Sequence, residues 1–306
     1  MVKTLTEFHP ISISDKDIIT PRLRAENSRS SDYNFGNLIM WDSRFQKHIA
    51  VFEDRLIIDI RKARCPKLEC PYFVFPVGSG ALRPAIDFMK EYSVQKGCNF
   101  SIRGITDEQR ALLENEFPGR FEFHEKRNSF DYIYLAEKLS TFAGKKLHSK
   151  RNFCNRFEKT YSWDFVRLTP ELIPGCLELY HKWLSDMDMS ADGVKDEFNA
   201  INTGFDNWDA LDLEGGVLRV EGGIVGFTVG ERASDDTYDV HFEKALNSYP
   251  GAYPMVCREF ARQIMSDHPD IVYLNREDDM GHENLRKAKM DYYPEFLLKK
   301  YLAREK

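Results

Sequence analysis

Between positions 237 and 294 the chain concentrates side chains that could move an acyl group. Residues 237–245 alternate so that Tyr238, Val240 and Phe242 fall on one face of a strand and Asp239, His241 and Glu243 on the other. One face packs, and the other offers titratable groups. Glu243, at the end of the strand, is the first candidate for a general base; His241, which titrates near neutral pH, is the second. The strand breaks at Asn247-Ser248-Tyr249-Pro250-Gly251-Ala252-Tyr253, and Met255, Val256, Phe260 and Ile264 follow at helical spacing. A turn that opens a helix presents backbone N–H groups and the positive end of the helix dipole, which attract phosphate. Ser248, Tyr249, Gly251, Ala252 and Tyr253 are therefore the expected donor-binding turn.

A second polar group, Asn275, Arg276, Glu277, Asp278 and Asp279, follows an apolar strand over 271–275. Open sheets bind ligands beyond the carboxyl ends of their strands, so Asn275, Arg276, Glu277 and Asp278 are expected to bind the acceptor. Arg276 would grip a phosphate or carboxylate, and the acids an amine. The three carboxylates raise the question of a metal ion, but the adjacent Arg276 opposes a cation, and no metal centre is expected. Lys150 and Arg151, in the basic run 144–152, and Lys287 are expected to meet the phosphates of the donor. Each feature also has a purely structural alternative: a solvated linker helix for the basic run, a hydrogen-bonded strand histidine for His241, and a surface ion pair for Glu243 and Lys244.

Several elements must hold these groups in place. In the first half, a helix over 32–45, strands over 48–52 and 55–60 hinged at Glu53-Asp54, and a strand over 72–76 precede a helix over 82–96. A strand over 99–102, a helix capped at Thr106 and a strand over 130–135 complete it. The second half repeats the order: a helix over 172–187, a hairpin over 216–232, the strand over 238–245, the glycine turn, a helix over 255–267, a strand over 271–275, a helix over 283–289 and a terminal run over 296–301. Residues 186–212 read as a polar insert, either a lid or a surface loop. The four tryptophans read as packing rather than as base-stacking platforms.

With 306 residues, two domains are the leading expectation, drawn at 1–143 and 161–306 with a basic linker over 144–160. A net charge of −6 argues against a general DNA-binding role, while the basic run leaves tRNA contact open. No apolar run reaches the length of a membrane span and no signal peptide is evident, so a cytoplasmic location is expected. Six dispersed cysteines fit a reducing compartment, with Cys65 and Cys70, the nearest pair, read as loop thiols. None is placed as a nucleophile.

The strings Phe242-Glu243-Lys244-Ala245, Tyr273-Leu274-Asn275-Arg276-Glu277-Asp278-Asp279-Met280-Gly281, Leu285-Arg286-Lys287-Ala288-Lys289 and Tyr292-Tyr293-Pro294 resemble bacterial proteins related to the C-terminal domain of phosphatidylglycerol lysyltransferase. Asp131-Tyr132-Ile133-Tyr134 and the 144–152 run extend the resemblance over nearly the whole chain. It implies an α+β fold of two tandem GNAT-like acyltransferase domains, each a mixed, mostly antiparallel sheet flanked by helices, as in Fem-type aminoacyl transferases. The implied activity is transfer of an acyl or aminoacyl group from a CoA thioester or aminoacyl-tRNA to an amine or hydroxyl, a lipid head group among the acceptors. No cofactor would be permanently bound. The chain keeps only the central glycine of the usual acetyl-CoA loop, at Gly251, which weighs against ordinary CoA use. It also lacks the lipid enzymes' membrane-spanning region, so a lipid would be met peripherally. The competing reading is a non-catalytic ligand-binding protein of the same fold.

Overall fold

The computed structural model describes residues 5–61, 70–185 and 193–306. The chain forms two units, Met1–Phe130 with Leu298–Lys306, and Asp131–Leu297. Each is a mixed sheet flanked by helices, the α+β class expected from the sequence.

In the first unit, strands β1 (Leu5–Pro10), β2 (Lys47–Phe52), β3 (Arg55–Ile60), β4 (Phe73–Val74), β5 (Val77–Gly78), β6 (Ser101–Ile105) and β7 (Phe121–Glu125) accompany five helices: α1 (Lys16–Glu26), α2 (Phe35–Met40), α3 (Asp42–Phe45), α4 (Leu82–Gln95) and α5 (Asp107–Glu116). The β2–β3 turn at Glu53-Asp54 has both residues at positive φ, 46° and 65°, the geometry that matches strand twist in a two-residue hairpin. Thr106 caps α5 by accepting from the Gln109 N–H, as its sequence spacing predicts. Cys70 is joined to Cys98 in a disulfide, which corrects the reading of Cys70 as a free loop thiol; the partner lies 28 residues away, beyond the reach of local spacing. Cys65 lies outside the described residues.

The second unit contains β8 (Asp131–Leu135), α6 (Ala136–Thr141), α7 (His148–Thr160), β9 (Trp163–Arg167), α8 (Ile173–Ser185), α9 (Val194–Asp206), β10 (Glu214–Val220), β11 (Gly223–Arg232), β12 (Thr237–Ala245), α10 (Ala252–Asp267), β13 (Tyr273–Asn275), α11 (Glu283–Met290) and β14 (Phe296–Leu298). Its strand order is β14-β8-β13-β12-β11-β10-β9, with β12 and β13 parallel. The chain's last strand, β15 (Tyr301–Glu305), lies in the first sheet between β6 and β7. Two boundaries therefore differ from the sequence reading. The strand at 131–135 belongs to the second sheet, where it pairs with β13, and the basic 144–160 segment contributes α7 to the second unit instead of linking domains. Strand partners this distant in sequence leave no local trace. Within the insert, Val194–Asp206 is a helix with Ala200, Ile201 and Phe205 buried, which corrects its reading as a loop; residues 186–192 lie outside the described residues.

The core of this unit gathers Tyr132, Tyr134, Tyr238, Val240 and Ala245 from the sheet with Phe157, Met255, Val256 and Phe260 from the helices and Phe142 from the end of α6. Strand β12 does not alternate strictly. Phe242 pairs with Val229 but Val240 pairs with Gly230, so His241 is an extra residue, a β-bulge. Past the bulge the facing shifts by one: Ala245 joins Tyr238 and Val240 in the core under α10, while Lys244 reaches Glu197 of α9 and the Trp183 ring of α8. Glu243 consequently leaves the face it was expected to share with His241, which corrects the simple two-residue period.

Helix α10 supports the site from beneath, and Phe260, 2 % exposed, meets the Tyr238 ring edge-on at 5.8 Å. Phe260→Ala is expected to lower the stability of this unit by about 3–5 kcal/mol in urea unfolding, with a loss below about 1 kcal/mol contradicting this packing.

Candidate active site

A cavity of about 560 Å³ opens in the second unit where the end of β12, the start of α10, the residues after β13, and helices α7 and α11 meet. Glu243, Arg276, Lys150, Tyr249, Gly251, Ala252, Tyr253 and Tyr292 all line it. These eight include the first candidate base, most of the expected donor turn and the expected acceptor-binding arginine, drawn from segments far apart in sequence.

The central contact is an ion pair between the Arg276 Nη2 and the Glu243 Oε2, with side chains only 14 % and 10 % exposed. Arg276 lies over the Tyr292 ring at 4.6 Å and the Tyr134 ring at 5.6 Å, so its charge is held between a carboxylate and two aromatic faces. Burial works against this charge, but Glu243 and its neighbours outweigh it and hold the guanidinium firmly protonated. Its Nη1 is buried without a hydrogen-bond partner. A buried donor left unsatisfied is costly, and a ligand oxygen would relieve it.

The surrounding backbone is fixed. Arg276 donates its N–H to the Tyr132 carbonyl at 3.0 Å, and the Tyr132 N–H donates to the Glu277 carbonyl at 3.2 Å. Lys289, although it borders the cavity, spends its ammonium on the carbonyls of Arg276, at 2.5 Å, and Asp278. Lys150 lies 4.1 Å above the centre of the Tyr292 ring, and burial, with help from the nearby Arg276, draws its amine below the ordinary lysine range. Gly251, the cap of α10, sits at φ +99°, and a Cβ there would come 2.8 Å from the Phe153 carbonyl oxygen. Only glycine lets α10 start this close to α7.

The start of α10 offers fewer donors than its sequence promises. The Ala252 N–H is taken by the Tyr249 carbonyl at 3.0 Å, and Pro254 has no N–H to give. Tyr253 contributes its ring and hydroxyl, the latter accepting from the Trp183 indole at 2.9 Å. Lys244 lines the cavity but is paired with both Glu197 oxygens at 2.8 Å.

The remaining expected site residues lie elsewhere. Ser248 is exposed and does not border the cavity. Arg151 donates to the carbonyls of Phe142 and Gly144, closing the end of α6, and Lys287 points to solvent. Asn275 is buried, donating to Asp131 at 3.1 Å and accepting the Glu277 N–H at 2.7 Å; Asp278 accepts from the Met280 N–H at 3.0 Å. These two shape the loop rather than face the cavity. Asp279 accepts two bonds from Arg286 and one from the Tyr132 hydroxyl, which hold its carboxyl well below the usual carboxylate range against the opposing effect of burial.

His241 is away from the cavity, between Glu277 (Nδ1 to Oε1, 2.8 Å) and Glu231 (Nε2 to Oε1, 3.0 Å). Burial alone would strip its proton, but the two carboxylates prevail and hold its pKa well above the usual value. An imidazolium so held has no lone pair for base catalysis. Tyr292, on the cavity wall, was missed as a site residue; the resemblance strings contain it, but nothing in local spacing distinguishes it from an ordinary residue after a helix. Burial also pushes the Cys154 thiol up to about 12 and the Cys257 thiol higher, so neither is primed as a nucleophile.

Removing either partner of the central ion pair strands a nearly buried charge. Glu243→Ala and Arg276→Ala are each expected to cost about 3–5 kcal/mol in chemical denaturation, with the double variant costing clearly less than the sum of the two. Additive losses would show that the pair is not coupled.

Residues 24–304 match the family described as phosphatidylglycerol lysyltransferase, C-terminal. A crystal structure of a conserved protein of unknown function from Bacteroides thetaiotaomicron is 37 % identical, covers 98 % of this chain and 99 % of its own, and superposes with a TM-score of 0.89. The C-terminal domain of a putative lysylphosphatidylglycerol synthetase from Agrobacterium fabrum shares the fold at 13 % identity and TM-score 0.65, over 96 % of this chain and 92 % of that one. FemX does so at 10 % identity and TM-score 0.61, over 98 % and 95 %. Among curated proteins, an uncharacterized protein of Mycoplasmoides gallisepticum is 28 % identical over 182 residues, 58 % of this chain, and the match spans 56 % of that relative's length. The chain belongs to the phosphatidylglycerol lysyltransferase C-terminal family.

Proposed function

We propose that this protein transfers an acyl or aminoacyl group from an activated donor to an amine or hydroxyl acceptor, in the cavity beside Glu243 and Arg276. The observation that carries the reading is the Arg276 Nη1, a buried cationic donor without a hydrogen-bond partner on a residue that lines the cavity next to a carboxylate. Acyl transfer calls for this combination: a donor to the oxygen that becomes negative, and a base for the proton that leaves the nucleophile. Family membership and the shared FemX fold support a transferase.

The acceptor's nitrogen or oxygen attacks the donor carbonyl carbon while Glu243 takes its proton. The carbonyl oxygen gains the negative charge and accepts from Arg276. When the tetrahedral intermediate collapses, the bond to the leaving oxygen or sulfur breaks, and the proton on Glu243 passes to that leaving group. No covalent acyl-enzyme is needed. The sparse amide donors at the start of α10 favour an aminoacyl ester over CoA, whose pyrophosphate depends on such donors. Lys150, with Lys145 and Lys146 exposed on the same segment, supplies charge for a tRNA acceptor end instead. The acceptor carries a free amine or hydroxyl, and a lipid head group such as that of phosphatidylglycerol suits the family. A charged-tRNA donor would be met in the cytoplasm; among the described residues no helix is long and apolar enough to cross a membrane.

Radiolabelled aminoacyl-tRNA and acyl-CoA, supplied separately with phosphatidylglycerol vesicles and with small amines, test the reading. Labelled product is expected from aminoacyl-tRNA, with Glu243→Gln and Arg276→Lys each lowering the rate about 100-fold or more. Absence of transfer from both donors, or full activity of both variants, would overturn it.

A further inference from the structure

Away from the cavity, and independent of acyl transfer, the other side of β12 carries a cluster whose composition the proposed reaction does not use. Asp239, His241 and Glu277 bring one carboxylate oxygen each and the imidazole Nδ1 within 4.8 Å of one another. They come from the bulge of β12 and the turn after β13, so the grouping is a product of the fold and not of a local motif.

The arrangement around the imidazole is directional. Its Nε2 is 3.0 Å from Glu231 Oε1, and a hydrogen bond donated there fixes the tautomer and turns Nδ1 toward Glu277 at 2.8 Å and Asp239 at 3.8 Å. A histidine that binds a metal through one nitrogen commonly donates its other N–H to a carboxylate in this way. With Nε2 so occupied, the proton that His241 carries on Nδ1 toward Glu277 is the one a metal ion would replace. Asp239 Oδ2, 3.8 Å from Nδ1, is beyond hydrogen-bond length from it. Ligands 2.0–2.2 Å from a common ion lie roughly 2.8–4.4 Å apart, a span that includes both separations.

The supporting shell is also built. The Glu277 backbone is held at φ 56° with its N–H donated to Asn275, which in turn donates to Asp131. Asp239 is fully buried and the His241 side chain is 0 % exposed, while Glu277 remains 16 % exposed and leaves a route for an ion.

We infer that Asp239, His241 and Glu277 form a divalent transition-metal site, with Glu231 orienting His241 from behind. One imidazole with carboxylates suits Zn²⁺ or Mn²⁺ better than Mg²⁺, which prefers oxygen ligands and retains its water. Such an ion would tie the bulge of β12 to the turn that carries Arg276.

The protein, stripped with chelator and dialysed against Zn²⁺, Mn²⁺ or Mg²⁺, tests the inference by elemental analysis. One Zn²⁺ or Mn²⁺ per chain is expected, with a raised melting temperature and little Mg²⁺ retained; Glu277→Gln and Asp239→Asn should each weaken binding by about 10-fold or more. Because a variant in a buried cluster can fail to fold, the wild type supplies a second readout: nitrogen NMR of the His241 ring on adding Zn²⁺ should shift Nδ1 and leave Nε2 protonated. Substoichiometric metal, retention by both folded variants as in the wild type, or a ring unmoved by Zn²⁺ would each overturn the site and leave a proton-bridged cluster.

Discussion

The single extra residue in β12 organises everything around it. A strand with an unbroken two-residue period would send Glu243 to the side of His241 and leave Arg276 without its carboxylate. Because His241 is accommodated as a bulge, Glu243 turns to the side of α10 and Arg276, and His241 stays among Glu231, Asp239 and Glu277. The opposing strand permits this only through Gly230: a Cβ there would come 2.1 Å from the Asp239 carbonyl oxygen and 2.7 Å from the Tyr238 ring. The bulge thus separates two charged clusters that a regular strand would merge.

On the cavity side, rigidity comes from polar groups bonded to the protein itself. Lys289 clamps the turn after β13 through its backbone carbonyls, Asp279 and Arg286 brace the next residues, and Asn275 holds the Glu277 N–H. Each of these groups is satisfied internally. Arg276 alone on this turn combines a position on the cavity wall with a nitrogen that lacks a partner. Donors fixed before the substrate arrives need no reorganisation when charge develops, which is where electrostatic catalysis gains its advantage over water.

Much of this was legible in the sequence, within physical limits. The Glu53-Asp54 hinge, the Thr106 cap and the helix following Gly251 depend on near neighbours and were read correctly. The residues at 243, 249–253 and 276 were grouped because strand ends and helix starts converge in an open sheet, and they do line one cavity. What escaped detection depends on partners distant in sequence: the exchange of β8 and β15 between sheets, the Cys70–Cys98 bond, and the bulge itself, which appears only when β12 is set against β11. Without the bulge, Asp239, His241 and Glu243 looked like one face, so the candidate bases could not be separated. Asn275, Glu277 and Asp278 looked like ligand groups because a loop carboxylate paired with a backbone N–H or a distant histidine has the same sequence as one facing solvent.

A crystal structure with a non-hydrolysable aminoacyl-amide mimic of the charged tRNA end tests the central claim most directly. The account predicts the acyl oxygen within about 3.2 Å of the Arg276 Nη1, with the carbonyl carbon open to a nucleophile resting on Glu243. An analogue bound with its acyl group outside this cavity, or with Arg276 Nη1 still without a partner, would contradict it.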